Sequence, residues 1–208
     1  MRKAAGLFIA AALAFGVAYT ARPTNAQSAT LTMSVIGSYR TGLFDEGAAE
    51  IVAYHAGSKA LYVVNGASSA IDVLDVTTPA TPTLTKSIAL NGTPNSVAIA
   101  GDVIAVAVEA DPSQEPGSVV FLNLNGEVVN TVTVGALPDH VGFTPDGMKV
   151  LTANEGEPNG DYTVDPEGTV SIIDISGGVD KATVVTVGFA DFNVGGPRAA
   201  ELDKAVRI

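Results

Sequence analysis

Cysteine is absent from the 208 residues of the chain. A disulfide framework and a zinc–thiolate site are therefore both excluded. Basic residues are few, because 11 lysines and arginines stand against 22 aspartates and glutamates, which gives a net charge of −11. A surface this acidic repels nucleic acids and anionic lipids, so we expect no nucleic-acid partner. It is compatible with cations and basic partners, although solubility alone also accounts for the charge.

Nucleotide-binding motifs are absent as well. The sequence has neither a Walker-type phosphate loop nor the glycine-rich fingerprint of dinucleotide-binding folds. The two histidines, His55 and His140, are far apart in the sequence, and we interpret them as a surface residue and a packing residue. Residues 66–70 contain two serines, but a nucleophile elbow joins a strand to a helix, and this segment lies between two predicted strands.

Only one long apolar run occurs, at residues 7–19. Arg2 and Lys3 precede it, and the small residues Thr24 and Ala26 follow it, which is the pattern of a cleaved secretory signal. The run is shorter than the roughly 20 residues of a membrane span, so an uncleaved anchor is the weaker alternative. We therefore predict a signal peptide over residues 1–26 and a periplasmic, secreted or cell-surface location.

The rest of the chain contains a repeat. Three similar segments begin at Glu50, Asn95 and Asp139, about 45 residues apart. Each contains short runs rich in valine, isoleucine and tyrosine, which alternate with polar residues and are bounded by turn residues; this pattern predicts β-strands. Four antiparallel strands in about 45 residues, repeated, are typical of a β-propeller of the YVTN or WD40 kind. A β-sandwich also has frequent short strands, but it gives no reason for the repetition.

The predicted blades cover residues 49–94, 95–138 and 139–190 of an all-β domain that extends over residues 27–208. A propeller ring closes with about four to eight blades. Three blades therefore predict an incomplete ring, and we interpret the chain as the N-terminal part of a longer protein. Residues 31–39 alternate apolar and polar side chains ahead of the first blade, which predicts a strand that closes the ring against a last blade.

Five unusual strings stand out: TGLFDEGAAEIVAY at residues 41–54, VAVEADP at 106–112, VGALPD at 134–139, ANEGEPN at 153–159 and DYTVDPEG at 161–168. These strings resemble the choice-of-anchor I family, exported bacterial propeller proteins related in pattern to animal mesenchyme-specific cell surface glycoproteins. The resemblance implies a longer protein that is secreted or held by a C-terminal anchor. It implies little about chemistry, although some members are labelled alkaline phosphatase. His140 stands where the resemblance leads us to expect an apolar residue, which argues against a family-wide role for it.

Acidic residues are concentrated in the links between the second and third predicted strands of a copy. The link is short and neutral in the first copy but acidic in the second and third. Equivalent loops of neighbouring blades leave from one rim, so we expect these carboxylates to converge there. Carboxylate and amide oxygens are the ligands that Ca²⁺ requires. The candidate metal ligands are Glu109, Asp111, Glu155, Glu157, Asp161 and Asp165.

The calcium interpretation has a plain alternative. Asn159, Asp161 and Asp165 are spaced so that they could wrap an ion, but they do not match the EF-hand loop. Acidic residues beside proline and glycine are also ordinary residues of solvated turns.

Two functions remain open at this point. The first is an exported scaffold whose loop face binds a small molecule, a partner protein or a cation, with Ca²⁺ as the predicted ion. The second is a metal-dependent phosphoric ester hydrolase, similar to alkaline phosphatase, with a metal-bound water as the nucleophile. We prefer the first, because the second needs a closed, dry site with perturbed carboxylates.

We predict that exported protein begins at Gln27, because Thr24 and Ala26 occupy the positions that a signal peptidase reads. Cleavage removes three basic residues and no acidic ones, so the net charge changes from −11 to about −14. Intact-mass spectrometry of exported material measures the start directly. A soluble exported chain that begins at Met1 would contradict the signal-peptide assignment.

Overall fold

A computed structural model describes residues 31–44 and 46–203. Contacts divide the chain into two compact units, Met1–Ser34 and Val35–Ile208. Of the first unit, only residues 31–34 are described, and they are exposed and have no regular secondary structure. The predicted signal peptide over residues 1–26 lies outside the described residues. The fold presented below is that of the second unit.

The described part of the second unit is built from twelve β-strands. These are β1 Val52–His55, β2 Ala60–Asn65, β3 Ala70–Asp75, β4 Thr83–Ala89, β5 Thr93–Ala100, β6 Val103–Glu109, β7 Pro116–Leu122, β8 Val128–Ala136, β9 Pro138–Phe143, β10 Lys149–Asn154, β11 Thr169–Asp174 and β12 Thr183–Gly188. Short 3₁₀ turns lie at Gly66–Ser68, Val179–Lys181, Ala190–Phe192 and Ala199–Glu201. No described helix is long and apolar enough to cross a membrane.

Consecutive strands form three separate four-stranded sheets, β1–β4, β5–β8 and β9–β12, in which each strand pairs with the next in the sequence. All the pairings are antiparallel. This is the predicted architecture, and we name the sheets blade 1, blade 2 and blade 3. Residues 31–39 form no strand here, and their predicted pairing with a last blade stays a prediction.

The turn at residues 144–147 shows how local sequence ends a strand. Pro145 occupies the first corner and Gly147 has a φ of +69°, a left-handed conformation that glycine adopts without strain. The Gly147 backbone N–H donates to the Thr144 carbonyl at 2.8 Å. The Thr144 hydroxyl donates to the Asp146 carboxylate at 2.6 Å. The predicted hairpin between β9 and β10 is therefore confirmed.

Blade 1 packs against blade 2 through alternate residues of β2 and β6. Successive side chains of a strand point to opposite faces, so Tyr62 and Val64 of β2 contact the blade 2 face that carries Val106 and Val108. The Tyr62 hydroxyl donates to the backbone carbonyl of Leu124 in blade 2 at 3.3 Å, so burial leaves this polar group paired. The contact joins the two blades into one core.

Blade 2 packs against blade 3 through its other face. Ala105 and Phe121 are fully buried there, and Val150 and Ile173 of blade 3 lie in the same cluster. Both faces of β6 are covered, which is why its sequence is continuously apolar. On the face of blade 3 that points away from blade 2, side chains such as Leu151 and Val185 are exposed.

Residues 35–44 and 46–50, which we call the strap, lie against part of the face of blade 1 that points away from blade 2. Gly37, Tyr39 and Ala48 of the strap and Leu61 and Leu74 of blade 1 line one small cavity of about 230 Å³. The Ala67 backbone N–H donates to the Gly47 carbonyl at 3.1 Å, which fixes the strap to the β2–β3 link. A cap of this kind shields the end of a blade array from solvent.

Gly37 allows the strap to approach blade 1, and we predict that Gly37→Ala displaces it. A Cβ at position 37 would lie 2.0 Å from the Pro79 carbonyl oxygen, so backbone must move. Overpacking of this kind costs about 1–3 kcal/mol, which corresponds to a fall in melting temperature of about 2–10 °C for a chain of this size.

Thermal unfolding followed by circular dichroism measures the effect of Gly37→Ala. Gly177→Ala is the matched control, because nothing lies within 4 Å of the added methyl group. Equal melting temperatures for the two variants would mean that the strap does not pack on blade 1.

Candidate functional site

The links between the second and third strands of blades 2 and 3 hold the acidic loops predicted from the sequence, whereas the blade 1 link is neutral. The links cover residues 66–69 in blade 1, 110–115 in blade 2 and 155–168 in blade 3. The blade 2 and blade 3 loops are in contact, because the Gln114 side-chain amide donates to the Glu157 backbone carbonyl at 3.3 Å. The acidic loops of adjacent blades therefore lie against each other, while the predicted convergence of their carboxylates stays a prediction.

Strand register shows which loop residues are equivalent. Val108 pairs with Pro94 in blade 2, and Asn154 pairs with Pro138 in blade 3. The residue after each pair is a glutamate, so Glu109 and Glu155 occupy the same position. From that position both loops read Glu-x-acid-Pro, as Glu109-Ala-Asp-Pro in blade 2 and Glu155-Gly-Glu-Pro in blade 3.

A β-bulge interrupts the first strand of blade 2, β5, and the first strand of blade 3, β9. In blade 2 the pairing skips Asn95, because Pro94 pairs with Val108 and Ser96 with Ala107. In blade 3 it skips Asp139, because Pro138 pairs with Asn154 and His140 with Ala153. A bulge removes one residue from the ladder and re-aims its side chain. The structure thus places Asn95 and Asp139 beside the two loop glutamates.

In blade 2 the residue at the bulge is Asn95, and its side-chain amide holds the carboxylate of Glu109. The Asn95 Nδ2 donates to Glu109 Oε2 at 3.1 Å. It also donates to the backbone carbonyl of Pro138, in blade 3, at 3.3 Å. One amide therefore fixes the Glu109 carboxylate and joins the rims of two blades.

Glu109 is also among the residues that line a cleft between the rims of blades 1 and 2. The cleft has a volume of about 580 Å³, and most of the residues that line it are small, while two are acidic. Among the residues that line it are Asn91, Thr93, Glu109, Asp111, Ser118 and Thr133. None of the described residues that line the cleft is a lysine or an arginine, so the electrostatic potential of this lining favours a cation.

In blade 3 the bulged residue is a carboxylate. Partial desolvation raises the pKa of Glu155, and the charges of Asp139 and Glu157 raise it further, although the side chain is exposed. Asp139 offers no N–H donor, so the amide–carboxylate bond of blade 2 has no counterpart here. At this bulge position, the aspartate of blade 3 brings a second carboxylate close to the loop glutamate. The asparagine of blade 2 instead holds the loop glutamate in place.

Residues 159–164 of the blade 3 loop are joined by hydrogen bonds within the loop. The Asn159 side-chain oxygen accepts hydrogen bonds from the backbone N–H groups of Thr163 and Val164, at 2.9 and 3.0 Å. It is therefore engaged by the loop rather than held free for an ion. The Thr163 hydroxyl donates to Asp161 at 2.8 Å and lowers the pKa of that carboxyl. Asp165 is exposed.

The six candidate ligands are therefore split among three places. Glu109 and Asp111 line the cleft, Glu155 lies near both Asp139 and Glu157, and Asp161 and Asp165 lie farther along the loop. Across residues 31–44 and 46–203, no three histidine, aspartate or glutamate side chains are grouped so that they could hold a metal ion by themselves.

Sequence reasoning missed Asn95 and Asp139 as members of the site. The signal that could have revealed them is the repeated Pro-Asn and Pro-Asp at the start of the second and third copies. The two histidines stay apart from the acidic loops. His55 accepts from the Ser58 backbone N–H at 3.1 Å in the β1–β2 hairpin, and His140 is exposed in β9.

Comparison with known proteins agrees with this architecture. The choice-of-anchor I domain matches residues 50–208. The chain belongs to the choice-of-anchor I family. The match spans all three blades and both acidic loops, so the family assignment covers the candidate site. No curated protein matches the chain.

Solved β-propeller proteins share the fold at low sequence identity. Hydrazine synthase from Kuenenia stuttgartiensis is 22% identical with a TM-score of 0.54, over 68% of this chain and 42% of its own. A putative 6-phosphogluconolactonase from Bacteroides fragilis is 13% identical with a TM-score of 0.53, over 68% of this chain and 40% of its own. The chain thus spans less than half the length of these proteins, and the likeness shows the fold alone.

We predict that Asp139→Asn stabilises this choice-of-anchor I chain near neutral pH. A raised pKa means that folded Glu155 holds its proton more tightly than unfolded Glu155, so stability falls as the pH rises through the titration of this group. Removing the Asp139 charge relieves part of that loss, by about 0.5 kcal/mol for an exposed pair. The melting temperature should then rise by about 1–2 °C.

Differential scanning calorimetry of Asp139→Asn at pH 7 and in acid checks this prediction. The gain should disappear in acid, where Glu155 is protonated and no longer repels the charge at position 139. Asp165→Asn is the matched control, because it removes one charge from an exposed part of the neighbouring loop. An equal gain from both variants would show that only net charge matters.

Proposed function

We propose that this chain is part of an exported, non-catalytic binding protein whose acidic rim takes up a cation, with the cleft between blades 1 and 2 as the main site. The observation that supports this most is the cleft itself, because its lining residues in the described part of the chain include two acidic residues, several residues with hydroxyl groups and no basic residue. A fixed carboxylate in a concave, polar site attracts a positive ligand more strongly than one free in solvent does.

Ca²⁺ is the ion that the lining suits best. It takes six to eight oxygen ligands, which include carboxylates, backbone carbonyls, amide oxygens and water. Glu109 and Asp111 supply carboxylates, and the small polar side chains and backbone of the cleft supply neutral oxygens. Because only two carboxylates line the cleft, we expect weak binding that depends on neutral oxygens and water.

The other four candidate ligands lie outside the cleft and contribute negative charge around it. Glu155 and Glu157 belong to the loop that contacts the blade 2 loop through Gln114, so they extend the negative rim beside the cleft. Asp161 and Asp165 lie farther along that loop and contribute charge at longer range. A protonated amine on a small molecule or a basic partner protein would be attracted in the same way.

Family membership supports export, because choice-of-anchor I proteins are exported propeller proteins. Members of the family differ in the type of anchor that holds them. The predicted signal peptide over residues 1–26 fits that assignment. A C-terminal anchor in the full-length protein belongs to the same proposal. The proposed site would then face the medium outside the cytoplasm, where Ca²⁺ is available at high concentration.

We predict that Ca²⁺ raises the melting temperature of the protein more than monovalent salt does. A ligand at about 100 times its dissociation constant, bound only to the folded state, stabilises by about 2.7 kcal/mol. Melting should be compared in EDTA and in millimolar Ca²⁺ at constant ionic strength, because general screening also relieves repulsion between carboxylates.

Two paired variants locate the effect of Ca²⁺. Glu109→Gln with Asp111→Asn should abolish the specific shift, whereas Asp161→Asn with Asp165→Asn should reduce it slightly. Equal shifts from Ca²⁺ and from matched Na⁺ would reject the proposed function. Loss of the shift only in the Asp161 and Asp165 pair would move the site to the outer loop of blade 3.

A further inference from the structure

We infer that the space beneath the strap is a binding site for a small primary amine with an apolar chain, whose ammonium group pairs with the carboxylate of Asp72. The site is separate from the acidic rim and does not rest on the function proposed above. The strap and the neighbouring face of blade 1 bound a cavity of about 230 Å³. Among the described residues that line it, Asp72 is the only charged one.

Strand geometry directs the Asp72 side chain toward this cavity. Side chains alternate along β3, and Ile71 belongs to the core between blades 1 and 2. Asp72 therefore points to the opposite face, where its cross-strand partner Val63 also lines the cavity. Leu61 and Leu74 form the neighbouring pair on that face and line the cavity as well.

One oxygen of the Asp72 carboxylate is open to a ligand. The residue is only 6% exposed, and no other aspartate or glutamate is buried in the part of the chain that the structure describes. Asn65 Nδ2 donates to Oδ2 at 2.8 Å, and Oδ1 accepts no hydrogen bond from any described residue. Because no fully buried side-chain oxygen of those residues lacks a partner, Oδ1 must reach open space, which on this face is the cavity.

The described residues supply no cation to this carboxylate. Their ion pairs join other groups. Arg40, the basic residue of the strap, is exposed and is not part of the cavity lining. A buried carboxylate without a cationic partner is costly, because it has lost water without gaining an opposite charge. An ammonium group bound in the cavity supplies that charge.

A second cavity, of about 350 Å³, lies next to the first and has an uncharged lining. It shares Gly37, Leu61 and Pro82 with the first cavity, so the two are adjacent. Its other described lining residues are Ile36, Tyr54, Val76 and Pro79. The combined space thus has an acidic end and an apolar end, which matches an amine that carries an alkyl chain.

The other two blades show that the fold does not require a carboxylate at this position. The second and third strands of each blade end in the pairs Asn65–Ala70, Val108–Ser118 and Asn154–Thr169. Two residues beyond the third-strand member of each pair lie Asp72, Val120 and Ser171, and all three are buried. A valine and a serine thus serve the packing equally well, so the charge of Asp72 has a role other than folding.

Calorimetric titration of the whole chain with n-hexylamine, n-hexanol and n-butylamine at pH 7 and constant ionic strength tests the site. Hexylamine, whose ammonium group is charged at this pH, should bind about tenfold more tightly than hexanol, the equivalent of a hydrogen bond to a charged group. Butylamine should bind about fifteenfold more weakly than hexylamine, at about fourfold for each methylene group withdrawn from apolar surroundings. Equal affinities in either comparison would overturn the inference.

Variants of Asp72 assign the amine preference to this carboxylate. Asp72→Asn keeps an oxygen for Asn65 but removes the charge, so it should abolish the preference for hexylamine and leave the hexanol affinity unchanged. Asp72→Ser, which introduces the residue type found at the equivalent position of blade 3, guards against misfolding of the asparagine variant. Asp102→Asn is the matched control, because it removes the charge of a side chain that is 84% exposed, and it should change neither affinity. An amine preference that survives in a folded Asp72 variant would mean that the acidic rim attracts the amine, and it would overturn the inference.

Discussion

Close packing between blade faces is the constraint on which the rest of the structure depends. Blade 2 is covered on both sides, by Tyr62 and its neighbours from blade 1 and by Val150 and its neighbours from blade 3. Because side chains alternate along a strand, this contact fixes which residues of β6 face each blade. It also fixes the register of the strands, and the register places the acidic loops of neighbouring blades on one rim. The cleft follows from that arrangement.

Much of the fold could be predicted from the sequence because its signals are local. Alternating valines and isoleucines predicted the strands, and the Pro-Asp-Gly of residues 145–147 predicted a hairpin that the structure confirms. The strap could not be predicted, because its position depends on the contact between Gly37 and the backbone near Pro79, which lies far away in the sequence. The bulges escaped prediction for a related reason, since a bulge exists only relative to a partner strand.

The candidate site was predicted in part. Counting acidic residues in equivalent loops identified the rim, and Glu109 and Asp111 do line a cleft. The count could not separate them from Asp161 and Asp165, because the separation depends on how Asn159 turns the longer blade 3 loop back on itself. It also overlooked Asn95, whose importance comes from two hydrogen bonds rather than from charge. The acidic composition of the loops is therefore enough to locate the rim, whereas the part that each residue plays there depends on its hydrogen bonds.

The bulge at positions 95 and 139 has a consequence for how such a protein diversifies. A residue outside the strand ladder is free of the packing that restricts its neighbours, so its identity can change while the core stays the same. Asparagine in one blade and aspartate in the next are two outcomes of that freedom in a single chain. The same bulge in two blades of alike backbone thus carries two different chemistries, an amide that donates in blade 2 and a carboxylate that adds charge in blade 3.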